Sequence, residues 1–244
     1  MLHNDEKPQE KTFDIALQRW FHAITGHILF NILLGAFSIA SIGLIMGCVW
    51  FFAETGGVIF LAVAVPLAAV AGGIWATIHG INRQLQFDHV TYLLKDLWKH
   101  IRQTFTQGAW FGIVLMLFCT VLYLPVLMSQ MMQEEIPLGF VCLSLTGTVL
   151  LPIVAEYTFY QISHWKIGTF AAIRNSMVLI FHLRWRSIAV CIIWAAYYVL
   201  LVIYPLVMIP LSMLCGLMPV LNMTTQALVA PKIDAQMEAH SITY

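Results

Sequence analysis

AWFGIVLMLFCTVLYLPVLMSQMM, residues 109–132, contains no charged side chain. A bilayer core about 30 Å thick is crossed by about 20 helical residues, so this stretch is long enough to span one. It ends at Gln133-Glu134-Glu135-Ile136-Pro137, and a second apolar run opens at once with Leu138. Helices joined by so short a link lie antiparallel as neighbours. This pair sets the expected fold class, an all-α polytopic membrane helical bundle.

Further runs of the same kind flank the pair. Residues 28–53 and 58–81 are apolar on either side of Glu54-Thr55-Gly56-Gly57, and the run that opens at Leu138 reaches residue 162. From Ile188 the chain stays apolar to about Leu221, broken by Pro205, Pro210 and Pro219; a proline inside a helix removes a backbone donor and bends or ends it. The expected spans are therefore 28–53, 58–81, 109–132, 138–162 and 188–209. A weaker sixth, 211–230, carries Asn222, Thr224, Thr225 and Gln226. Five to six spans form one domain over 28–230, between a segment 1–27 and a polar C-terminal tail 231–244. Acidic and basic residues crowd residues 5–14, so no cleavable signal peptide is expected there.

Composition agrees with lipid as the solvent. The chain is 60% hydrophobic and 10% charged, whereas soluble domains carry about a quarter charged residues. Formal net charge is zero, which gives no reason to expect a nucleic-acid partner. Five cysteines are scattered singly through apolar runs, so neither a disulfide framework nor a zinc site is indicated. No phosphate-binding loop or histidine pair at ligand spacing occurs, and no cofactor or metal is expected.

Eleven of the twelve Lys and Arg residues lie in three places: residues 1–27, the segment after the second span, and the segment after the fourth. The alternating short links carry Glu54, Glu134 and Glu135 instead. Cytoplasmic loops collect Lys and Arg, so a multi-pass protein of the cell (plasma) membrane is expected, with the N-terminus and both long loops facing the cytoplasm. Within the first long loop Leu94, Leu97, Trp98, Ile101 and Phe105 recur at steps of three and four, the pattern of an amphipathic helix lying at the interface. Phe170, Ile173, Met177 and Ile180 give a weaker second example.

One carboxylate stands inside an expected span. Glu156 lies seven residues before Ser163, roughly 10 Å deep at about 1.5 Å per residue. An ionised group there is costly and turns toward the bundle interior to find a partner. Tyr160 follows one turn later; His79 and Arg83 stand at similar depth on the second span, and His164 closes the fourth. Glu156, Tyr160, His79, Arg83 and His164 are the candidate binding residues, either for a solute or proton or as a buried structural network. No convergent catalytic set is visible, so an enzyme is not expected.

Several segments resemble the YesL-like family of small integral membrane proteins, a domain of unknown function: Asn31-Ile-Leu-Leu, PLAAVAGGIWATIHGINRQ from Pro66, LPIVAEYTFYQISHWKIGTFAAIRNSMVL from Leu151, IPLSMLCGL from Ile209, and Ala230-Pro-Lys-Ile. The first pair of spans is longer and more clearly split than the family pattern. The resemblance implies a non-enzymatic role accessory to carbohydrate ABC-type uptake, with transporter subunits as partners. The alternative is a small-solute carrier or substrate-binding membrane subunit with its polar site near Glu156.

Overall fold

The computed structural model describes residues 58–87, 93–132, 137–214 and 216–241, with isolated helical positions between residues 28 and 43. The expected segment 1–27, most of the expected span 28–53 and the links 54–57 and 133–136 lie outside the described residues. From residue 58 the described residues form seven helices in order: α1 (Val58–Phe87), α2 (Leu93–Met132), α3 (Leu138–Trp165), α4 (Thr169–His182), α5 (Arg184–Ile203), α6 (Pro205–Leu214) and α7 (Leu217–Ser241). Among the described residues no strand occurs, and the chain is an all-α polytopic helical bundle. Four of the helices (α1, α2, α3 and α5) are long and apolar enough to cross a membrane. The α6–α7 pair, bent by 73°, would make a fifth span.

The surface of this bundle is apolar. Leu206 is 89% exposed, Val121 68% and Leu145 63%, while His79, Asn82, Glu156, Gln161, Asn222 and Gln226 are buried. A water-soluble domain reverses that distribution. Here every backbone polar group of a span must be satisfied within its own helix, and polar side chains gather where neighbouring helices screen them from lipid.

Small residues draw the helices together. Gly72 of α1 faces Gly108 and Gly112 of α2, and a Cβ added at Gly72 would fall 2.7 Å from the Gly112 Cα. Ala68 and Ala76 continue the seam, one turn to either side. Without a strong hydrophobic drive between helices in lipid, such close backbone contact supplies the van der Waals gain.

Three boundaries differ from the sequence reading. Leu94, Leu97, Trp98, Ile101 and Phe105 do not form a separate interfacial helix; they are the opening turns of α2, continuous with the third span. Gly108, the residue most able to interrupt that helix, is instead used for close packing on α1. Leu97 packs against the core and Phe105 against Gly73, whereas Trp98 is exposed beneath the Arg102 guanidinium; the side chain of Leu94 lies outside the described residues. The second stretch is the separate helix α4, but its small polar face packs inward (Ala172, Ser176) while Phe170 and Phe181 point out.

The expected spans 188–209 and 211–230 are also redrawn. α5 ends at Ile203 with Tyr204 as its cap, and Pro205 opens α6, where its fixed φ suits a first helical turn. Pro210 lies inside α6 rather than ending a span. The next break comes at Gly216, whose φ of +61° is left-handed; a Cβ there would also collide with the Asn31 carbonyl. Finally, α7 runs through Pro231 to Ser241, so most of the expected polar tail is helix.

Candidate functional site

α1, α3 and α7 lie side by side and each turns polar residues toward the others. On α1, His79, Asn82 and Arg83 share a face at i, i+3 and i+4; on α3, Glu156 and Tyr160 are one turn apart; on α7, Asn222, Thr225 and Gln226 repeat the α1 spacing. Residues spaced three and four apart stand above one another on a helix. Together they make a polar column inside an apolar bundle.

Its inner part is centred on Glu156, 3% exposed, and His79, 1% exposed. Oε2 of Glu156 lies 3.3 Å from His79 Nε2. Oε1 accepts from Thr225 Oγ1 at 2.6 Å and from Asn222 Nδ2 at 2.9 Å. His79 Nδ1 is 2.9 Å from the Trp75 carbonyl one turn back, and Asn222 Nδ2 is 2.7 Å from Nε2. The ring packs against Trp75 and Phe159, which keep solvent from it.

Asn222 is fixed in turn. Its Oδ1 accepts from Asn82 Nδ2 at 2.6 Å and from Gln226 Nε2 at 3.0 Å. Both amide nitrogens also donate at 3.3 Å to main-chain carbonyls, those of Pro219 and His79 respectively. The amide oxygens that remain, Asn82 Oδ1 and Gln226 Oε1, are buried without a hydrogen-bond donor. Such an acceptor costs about 1–3 kcal/mol unless something donates to it.

The outer part of the column is organised by Asp234. Tyr160 donates its hydroxyl to Oδ1 at 2.9 Å, Trp165 Nε1 donates to the same oxygen at 3.0 Å, and Arg83 Nη1 donates to Oδ2 at 3.0 Å. Arg83 donates to the Tyr160 hydroxyl as well and lies over its ring, 5.2 Å from the centroid. His164 Nε2 is 3.9 Å from Oδ1. This part is more open, with Arg83 at 17% and Asp234 at 21% side-chain exposure.

The five residues singled out from the sequence thus fall into two adjoining groups, Glu156 with His79, and Arg83, Tyr160 and His164 around Asp234. Arg83 pairs with Asp234 at 3.0 Å, whereas Glu156 faces His79 at 3.3 Å. Sequence reasoning missed Asn82, Asn222, Thr225, Gln226, Trp165 and Asp234. The i, i+3, i+4 spacing of the three α7 polar residues was the available signal; Asp234 lay in a segment read as a tail. Among the described residues no group of three or more His, Cys, Asp or Glu is placed to hold a metal ion. Compared with protein-family models, curated proteins and solved structures, the chain finds no match in any of the three.

Proposed function

We propose that this chain is a multi-pass protein of the cell membrane, with its basic segments in the cytoplasm, and that it carries a small polar solute through the column between α1, α3 and α7. The observation that supports this reading best is the pair of donor-less oxygens, Asn82 Oδ1 and Gln226 Oε1. Buried polar atoms in folded proteins are almost always partnered, and both side chains bond to the same atom of Asn222 beside Glu156. Two acceptors next to a carboxylate suit a ligand rich in hydroxyl donors, which is the chemistry of a sugar. An ionisable pair held among apolar helices is a frequent mark of a transport pathway.

The test is growth on single carbon sources in cells carrying Glu156→Gln at unchanged protein level. The carrier reading expects growth on one such source to fail. Normal growth on every source used by the wild type would overturn it.

A second reading, an accessory protein of a carbohydrate ABC-type importer, is favoured by a different feature. Phe170 and Phe181 are each 79% exposed and Trp185 74%, in the segment that carries Arg174, Arg184 and Arg186, and exposed aromatics suit a partner helix. Phe170→Ser with Phe181→Ser would then release transporter subunits in mild detergent without altering the growth phenotype of Glu156.

A further inference from the structure

We propose that the outward face of α4 seats the headgroup of an anionic phospholipid, with its phosphate on Arg174. The inference is independent of the carrier reading, because none of its residues belongs to the polar column.

Topology holds α4 at the membrane surface. α3 and α5 are each long and apolar enough to cross a membrane, and α4 joins the end of one at Trp165 to the start of the other at Arg184. A helix that links two successive spans lies on one side of the bilayer. It also rests on the last two turns of α3. There Gln161 Nε2 donates to Ser176 Oγ at 2.9 Å, and Thr158 Oγ1 stands 3.0 Å from the same oxygen. The opposite face of α4 is thereby set where acyl chains meet headgroups, the place of an interfacial helix.

That face has an unusual make-up. Ala172, Ser176 and Leu179 are buried against the bundle, whereas Phe170, Met177, Val178 and Phe181 are exposed. At 3.6 residues per turn all four lie within about 60° of Arg174 around the helix axis, so a guanidinium stands in the middle of an apolar stripe. Arg174 is exposed as well. Ion pairs among the described residues involve His79, Arg83 and His164, and Arg174 enters none of them. Acyl chains cover the aromatic rings, and a phosphate accepts two parallel N–H bonds from the guanidinium fork.

Charge decides the kind of headgroup. Lys166 and Arg184 flank α4, both exposed and neither in an ion pair among the described residues. Between residues 138 and 204 the one acidic residue is Glu156, which is buried and held by Thr225 and Asn222. No carboxylate of α3, α4 or α5 is therefore available to neutralise these three cations. A zwitterionic headgroup brings a cation of its own; an anionic one supplies the missing negative charge. The apolar surface continues into α5 through Trp185, Ile188 and Ile192, so lipid already adjoins the face.

The test uses the full chain, stripped of lipid in mild detergent, with native mass spectrometry and thermal unfolding as readouts. Added phosphatidylglycerol is expected to bind saturably and to raise the unfolding midpoint, whereas phosphatidylcholine and inorganic phosphate do neither. Arg174→Gln should weaken phosphatidylglycerol binding about tenfold, the loss of one charge-assisted pair. Arg174→Lys, which keeps the charge without the fork, should fall between, and Lys232→Gln, an exposed cation on α7, should bind as the wild type does. Equal weakening in Arg174→Gln and Lys232→Gln would mean diffuse attraction to basic residues and overturns the site. Equal binding of phosphatidylcholine overturns the anionic preference, and displacement by inorganic phosphate overturns the lipid source. A photoreactive side chain in place of Val178 identifies the occupant in cells. Crosslinked phospholipid is the expected product; crosslinked protein overturns the proposal and favours the accessory reading.

Discussion

Arg83 Nη1 and Asp234 Oδ2 meet at 3.0 Å although 151 positions separate them, so the first fully described helix is tied to the last at the open end of the column. The contact lets the Tyr160 hydroxyl receive from Arg83 and donate to Asp234 at once. Neither charge is exposed enough to be satisfied by solvent alone.

Cutting this tie should therefore be costly. Arg83→Ala and Asp234→Ala are each expected to destabilise the detergent-solubilised protein by about 1–3 kcal/mol, because each removes this ion pair from a partly buried site. The double variant should lose less than the sum of the two. Thermal unfolding of all four forms gives the coupling, and strict additivity would sink the pairing.

The α1–α2 seam makes a steric prediction with a built-in control. Gly112→Val drives a branched side chain into Ala68 and Gly72 and should lower stability by about 1–3 kcal/mol or more. Gly139→Ala, at a position with nothing within 4 Å of the added Cβ, should be close to neutral. Equal melting temperatures for the two variants would contradict the close approach.

At Gly216 two penalties coincide. A left-handed backbone costs a non-glycine residue about 1–2 kcal/mol, and the Asn31 carbonyl stands where the new methyl would go. Gly216→Ala is expected to lose more stability than Gly139→Ala, and also more than Gly168→Ala, whose added Cβ meets no atom within 4 Å. An unchanged melting curve would speak against the bend at this residue.

Orientation can be read by labelling. In cells expressing a cysteine-depleted chain, Lys166→Cys should react only with reagents that enter the cytoplasm, and Gly139→Cys with reagents confined outside. The opposite pattern would reverse the proposed topology.

Much of this architecture could be read from apolar run length. The spans near 58–81, 109–132 and 138–162 each correspond to a described helix because lipid crossing imposes a length that needs no partner to define it. Glu156 and His79 were legible for a related reason: a polar residue in such a run stands out against its neighbours. The continuity of α2 was not, since the same three-and-four spacing serves an interfacial helix and the opening turns of a long one. Asp234 was invisible because its meaning comes from Arg83, Tyr160 and Trp165, which reach it from α1 and α3, far back in the chain. Pro210 misled because whether a proline ends a helix depends on what packs beside it.

The glycine seam also divides the labour of motion. Sliding α1 along α2 would press Gly112 into backbone on the opposite side, so the two helices behave as one stiff bracket carrying His79, Asn82 and Arg83. The groups from α7 hang instead beyond two breaks, at Tyr204 and Gly216. Any rearrangement that parts His79 from Asn222 is consequently a swing of the C-terminal arm, with the bracket as its fixed frame.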